Sequence, residues 1–139
     1  MLNGEVFVFD NAVHMYDLSD DNLKREDANL DRQWHLGIGS SRRPPGQDTE
    51  YGFADPAGSF ARKWTSEDLG KYLFDDSSTD MAMAQGVPLY DVYHDGFAPV
   101  QAQYEFKEAF PDRVLFCGAV DPSYPSVEGA VEDMERQVK

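Results

Sequence analysis

Three short apolar segments, each separated from the next by polar or amphipathic sequence, define the hydrophobic pattern of this chain. They lie at residues 7–10, 81–84 and 114–120. Each is a nearly continuous apolar run with the length of a single strand. Such runs are typical of strands that are buried on both faces of a sheet. We therefore predict three buried strands.

The segment after Trp64 has the pattern of a short helix. Thr65 is a suitable N-cap residue, and acidic residues follow it in the first turn, where the helix dipole favours negative charge. The pattern predicts a helix that ends near residue 74 and buries Leu69, Tyr72 and Leu73.

Two further helices are predicted, one after each of the other apolar runs. The first has Pro99 in its opening turn and continues through Phe110, with Val100 and Tyr104 facing inward. The last is capped by Ser126, and its apolar residues recur at helical spacing. They are Val127, Ala130, Val131, Met134 and Val138.

Apolar strands that alternate with amphipathic helices indicate parallel βαβ units. The predicted fold class is α/β, in a single domain over residues 1–139 with a long loop after the first strand. The acidic residues 16–33 have the pattern of a short surface helix at most. Residues 37–60 are rich in Gly, Pro and Ser, which predicts a flexible loop.

The charge of the chain excludes some partners. Its 26 acidic and 12 basic residues give a formal net charge of −14. Nucleic acid and anionic membrane surfaces carry the same sign, so neither is an expected partner. No run of about 18 uncharged apolar residues is present to span a membrane. A lone cysteine, Cys117, favours a reducing cytoplasm, and its place within the third apolar run predicts a buried, inert thiol.

The carboxyl ends of parallel strands share one edge of a sheet, where α/β proteins bind their ligands. His14 follows the first strand and is the candidate metal ligand, because a neutral imidazole binds zinc well. Asp10 is its candidate orienting partner. Tyr90 and Asp121 follow the second and third strands and are candidate substrate-binding residues.

Each of these residues has a purely structural alternative. His14 is then a half-buried residue at a strand end, hydrogen-bonded to a neighbour. Asp10 and Asp121 then accept backbone N–H groups in the turns that follow them, as Asp commonly does. The ring of Tyr90 then serves for packing. The sequence leaves both interpretations open.

Four motifs resemble the N-terminal portion of the amidohydrolase-related family, in the branch that includes aminocarboxymuconate-semialdehyde decarboxylase. They are DNAVH at 10–14, VPLYD at 87–91, FAPV at 97–100 and PDRVLFCGAVDP at 111–122. The resemblance implies a partial (β/α)8 TIM barrel and a divalent metal, zinc first among them. It also implies either hydrolysis or non-oxidative decarboxylation of a small carboxylated substrate.

The first-strand motif of that family has the form Asp-x-His-x-His. His14 stands at its second histidine, and the resemblance implies that it is a metal ligand. Ala12 stands at the first, so this motif is one ligand short. A catalytic zinc takes about three protein ligands, which makes the metal site incomplete over this stretch.

Two functional hypotheses follow. A TIM barrel has eight strands and about 250 residues, so three strands predict the N-terminal part of a longer hydrolase or carboxy-lyase. The alternative is a non-catalytic α/β module. It would form a homo-oligomer or bind a partner through an exposed sheet edge, since unpaired strand edges favour association.

Overall fold

A computed structural model describes residues 6–25, 62–122 and 125–138 of the chain. Their elements are, in order, β1 (Phe9–Val13), a 3-10 turn (Asp20–Asn22), α1 (Ser66–Gly70) with a π-helical continuation (Lys71–Asp75), β2 (Met81–Gln85), α2 (Val100–Ala109), β3 (Val114–Cys117) and α3 (Val127–Gln137). The flexible loop predicted at 37–60 lies outside the described residues. None of the helices in these three ranges is long and apolar enough to cross a membrane.

The three strands form one open parallel sheet in the order β1-β2-β3. β2 and β3 pair in register, with Ala82 opposite Val114 and Gln85 opposite Cys117. The predicted α/β class, with three parallel strands and flanking helices, is confirmed. The strand limits differ from the prediction. β1 begins at Phe9, where its pairing with β2 starts, and β3 ends at Cys117.

The core lies between one face of this sheet and the helices α1 and α2. Ala82 and Ala84 of β2 are fully buried there, and Val114 of β3 lies beside them. Phe106 from α2 packs on this surface and is fully buried, while Leu69 from α1 packs at its margin. The small alanine side chains allow the aromatic ring to approach the sheet closely, as dense core packing requires.

The opposite face of the sheet is uncovered within the described ranges. Phe9 is 40% exposed and Leu115 is 44% exposed, with the half-buried Met83 paired to Leu115. The prediction that the strands are buried on both faces is therefore wrong for this face. Cys117 points the same way and is exposed, which corrects the prediction of a buried thiol. An apolar run indicates that a strand is favoured to be covered. It does not indicate which other element covers each face.

Two helix residues that were expected to face inward are exposed. Tyr72 is exposed because α1 widens into a π-helical turn, closed by the Asp76 N–H to Lys71 carbonyl bond of 2.9 Å. Leu69 and Leu73, the other two residues expected to face inward from this segment, pack on the core as predicted. Tyr104 lies on the flank of α2 and contacts the ring of Phe116 edge-on.

The predicted N-cap of α1 is confirmed as a full capping box. The Thr65 hydroxyl accepts the Asp68 N–H at 3.2 Å, and the Asp68 carboxylate accepts the Thr65 N–H at 3.1 Å. The Arg62 guanidinium also donates to the Asp68 carboxylate at 2.8 Å. These bonds satisfy backbone groups that a helix start otherwise leaves unpaired.

The stability of the chain is expected to fall in acid because of Asp68. Hydrogen bonds from Arg62 and then from Thr65 lower the pKa of this carboxyl from 3.8 to about 2. A depressed folded-state pKa stabilises the fold above the unfolded pKa, and this contribution is lost as the pH falls from 3.8 through about 2. Urea unfolding at a series of pH values measures the effect.

In that experiment, Asp68→Asn is expected to flatten the acid limb of the stability profile. Glu67→Gln is the matched control, because Glu67 is the exposed neighbour outside the capping box. An acid limb of equal steepness in wild type and Asp68→Asn would show that other groups cause the loss.

Candidate functional site

His14 lies at the carboxyl end of β1 and is hydrogen-bonded to the end of β2. Its Nδ1 is 2.9 Å from the carbonyl oxygen of Gln85, the last residue of β2. A carbonyl oxygen only accepts hydrogen bonds, so Nδ1 carries the proton and donates it. The Nε2 atom is then the ring nitrogen with a lone pair for a ligand.

An irregularity in β1 directs the chain just before His14. The register between β1 and β2 shifts between Asp10 and Val13. Within this shift the side-chain Nε2 of Gln85 donates to the carbonyl of Asn11 at 2.6 Å. Bulges of this kind re-aim side chains and are common beside functional sites. Gln85 therefore contacts the irregular segment through its side chain and His14 through its backbone.

Asp10 makes the backbone contact that the structural alternative predicted for it. Its Oδ1 accepts the N–H of Ala12 at 3.1 Å, which is the turn contact expected of an aspartate at a strand end. Among the described residues, Asp10 makes no hydrogen bond to His14. The orienting role suggested for Asp10 stays a prediction.

The described residues do not form a complete metal centre. Over residues 6–25, 62–122 and 125–138, no three His, Cys, Asp or Glu side chains lie close enough together to hold a metal ion. A catalytic zinc takes about three protein ligands. His14 is a suitable single donor, but the donor set of the described residues does not fit a catalytic zinc.

Tyr90 lies in a different place, in a cavity between α2 and α3. This cavity has a volume of about 650 Å³, and Tyr90, Tyr104 and Phe116 supply aromatic side chains to its wall. Asp133 and Arg136 of α3 form an ion pair there. Neither His14 nor Asp10 belongs to the lining.

Burial and nearby charged groups act on the phenol of Tyr90. Burial raises the pKa of Tyr90 most, and the Asp133 carboxylate raises it further. The Arg136 guanidinium lowers this pKa, while Asp121 and Asp95 raise it by smaller amounts. A phenol with a raised pKa stays protonated at neutral pH, so Tyr90 acts in this cavity as a hydrogen-bonding hydroxyl and not as a base. Asp121 is not part of the lining of this cavity, so the pairing of Tyr90 and Asp121 as substrate-binding residues stays a prediction.

A buried amide that the sequence did not reveal connects the segment after β1 to α2. Gln103 is fully buried, and its Oε1 accepts the N–H of Met15 at 2.8 Å. Its Nε2 donates to the carbonyls of Met15 at 2.9 Å and Pro99 at 3.0 Å. Glutamine on a helix is ordinarily an exposed residue, so its residue type alone gives no signal of this role.

Comparison with known proteins adds no relationship, because no family model, curated protein or solved structure matches the chain. The class that the structure itself defines is an α/β protein with three parallel strands in one open sheet and flanking helices. The resemblance to amidohydrolase-related proteins stays a prediction.

Proposed function

We propose that this chain is the N-terminal part of an amidohydrolase-like enzyme, a metal-dependent hydrolase or non-oxidative decarboxylase of small carboxylated substrates. The hydrogen bond from His14 Nδ1 to the Gln85 carbonyl, at 2.9 Å, carries the proposal. Histidines that bind metals commonly donate their other ring N–H to a carbonyl or carboxylate, which fixes the tautomer and the ring orientation. His14 has this arrangement.

The sheet supports the same proposal. In a (β/α)8 barrel, consecutive parallel strands lie side by side, helices cover the outer face, and apolar side chains fill the interior. Here β1, β2 and β3 are consecutive neighbours, α1 and α2 cover one face, and Phe9 and Leu115 project from the other. This arrangement supports the proposal.

The proposal assigns limited roles to the described residues. His14 presents Nε2 at the carboxyl end of β1, and Gln85 holds its ring in place. The proposal requires the remaining metal ligands to come from outside residues 6–25, 62–122 and 125–138. Tyr90 and Asp121 are the proposed substrate-binding pair, with the protonated phenol as a hydrogen-bond donor.

Zinc titration with His14 variants tests this proposal. We expect His14→Ala to weaken zinc affinity at least about tenfold, because it removes the proposed nitrogen ligand. His94→Ala is the matched control, because His94 is an exposed loop histidine. Isothermal titration calorimetry measures both variants. Equal zinc affinity in wild type and His14→Ala would remove the metal role.

A second candidate function is favoured by the uncovered face of the sheet. In this alternative the chain is a non-catalytic α/β module that forms a homo-oligomer or binds a partner. Phe9 and Leu115 are exposed apolar residues on one continuous surface, and β1 and β3 are edge strands within the described sheet. Exposed apolar surface and open strand edges both favour association.

Sedimentation velocity at several concentrations tests the homo-oligomer. We expect the sedimentation coefficient of wild type to rise with concentration, and Leu115→Gln to reduce this rise because it makes the apolar face polar. Tyr72→Gln is a control with an exposed aromatic residue on the π-helical continuation of α1, away from that face. A monomer at every concentration would contradict self-association.

A further inference from the structure

Gln85 is the last residue of β2, and its backbone carbonyl points toward β1. Backbone groups along a strand alternate between its two edges, so residues four apart point the same way. Met81, four residues before Gln85, donates its N–H to the Val8 carbonyl on the β1 side at 3.2 Å. The Gln85 carbonyl accepts the Nδ1–H of His14 at 2.9 Å. An imidazole therefore bonds β2 where a backbone N–H of the neighbouring strand ordinarily would.

β1 contains one extra residue shortly before His14. From Asp10 to Val13, β1 advances three residues. The positions that pair with them on β2, Ala82 and Ala84, are only two residues apart. An extra residue of this kind bends a strand and re-aims the side chains beside it. The direction of the His14 ring therefore depends on the shape of this bulge.

One peptide unit in the bulge is held by two side chains. Gln85 Nε2 donates to the carbonyl of Asn11 at 2.6 Å. The N–H of the same peptide unit belongs to Ala12, and it donates to Asp10 Oδ1 at 3.1 Å. The carbonyl and the N–H of a trans peptide unit point in opposite directions, so the two bonds fix its plane from both sides.

The hydrogen bond of His14 depends on that fixed plane. A hydrogen bond prefers an angle above about 150° at the hydrogen and weakens steeply below about 120°. A bulge that could change shape would turn the imidazole away from this alignment, although the Gln85 carbonyl itself stayed in place. The side chain of Gln85 therefore supports the bond that its own backbone accepts.

We propose that Gln85 is the positioning residue of His14. Its side chain fixes the peptide unit in the bulge, and its carbonyl selects the tautomer with the proton on Nδ1. The lone pair of the ring is then on Nε2, at the carboxyl end of β1. The inference rests on the proposed function, in which His14 is a ligand-binding residue, and names the group that prepares it.

The tautomer of His14 tests this proposal. Gln85→Met removes the side-chain amide, keeps the length of the side chain and leaves the backbone carbonyl in place. Nitrogen-15 NMR of metal-free protein at about pH 9, where histidine side chains are neutral, measures the tautomer, and a spectrum of His14→Ala identifies the signals. We expect the Nδ1–H form to dominate in wild type and its fraction to fall about threefold in Gln85→Met. An equal fraction in both proteins overturns the proposal.

A second variant and a matched control support the measurement. Gln85→Glu has nearly the same shape, but its carboxylate only accepts hydrogen bonds, so we expect the same fall. It decides the result if the methionine variant fails to fold. Gln101→Met removes the amide of an exposed glutamine on α2 and is expected to leave the tautomer unchanged. Lower stability of both Gln85 variants with an unchanged tautomer would show a merely structural role and also overturns the proposal.

Zinc titration of the same proteins separates this inference from the proposed function. A metal ion at Nε2 binds the Nδ1–H tautomer, so a threefold smaller fraction is expected to weaken zinc about threefold. Zinc binding in wild type with equal tautomer fractions in wild type and Gln85→Met keeps the metal role and overturns the positioning role. Wild type without zinc affinity removes the metal role, and the tautomer then decides the positioning role by itself.

Discussion

Replacing Gln103 by leucine is expected to lower the free energy of unfolding by about 2–5 kcal/mol. Leucine has a similar size but cannot bond the N–H and the carbonyl of Met15, which are buried with it. Each buried polar group left without a partner costs about 1–3 kcal/mol, and Met15 contributes two such groups. Urea denaturation followed by circular dichroism measures the change.

The matched control for this prediction is Gln101→Leu. Gln101 lies on the same helix but is exposed, and its side chain bonds the nearby Glu105 side chain at 3.1 Å. Changes at exposed positions of this kind are usually within about 0.5 kcal/mol. Similar losses in the two variants would show that the Gln103 side chain does not secure the segment after β1.

Replacing Phe106 by alanine is expected to cost about 3–5 kcal/mol, because it opens a cavity at the centre of the core. The ring is fully buried against the sheet, and its centroid lies 5.3 Å from that of Phe110 and 6.2 Å from that of Phe74. A domain of this size is stable by only about 5–15 kcal/mol, so the loss is a large share of the total.

Tyr104→Ala is the control for the core prediction. Tyr104 is an aromatic residue two positions away on the same helix, but it is 45% exposed and contacts the flank of the sheet through the ring of Phe116. We expect a loss of about 1 kcal/mol or less, in line with its partial burial and single ring contact. A loss at Tyr104 equal to that at Phe106 would mean that the core extends into the cavity between α2 and α3.

The sequence predicted the elements around the core well. The apolar runs predicted the three strands. The N-cap residues Thr65 and Ser126 predicted the starts of α1 and α3. The prediction succeeded at the two helix starts because a capping hydroxyl acts on backbone groups within the next three residues. The signal and its effect are then both local.

The candidate site was predicted in part. The sequence placed His14 at the end of the first strand, and the structure brings it to the end of the second through the Gln85 carbonyl. It did not predict that Tyr90 lies in the cavity between α2 and α3. Nor did it predict the register shift in β1, because a shift depends on the partner strand and not on the residues of β1 alone.

The sequence by itself determined the α/β class and the positions of the capped helices. Only the tertiary structure decided that Gln103 is buried, that Gln137 bonds the backbone of Ala119, and that Leu115 and Cys117 face outward. Periodicity reports which residues share a face of a strand or helix. Which element covers that face, and which polar group a buried amide meets, depends on contacts between residues far apart in the chain.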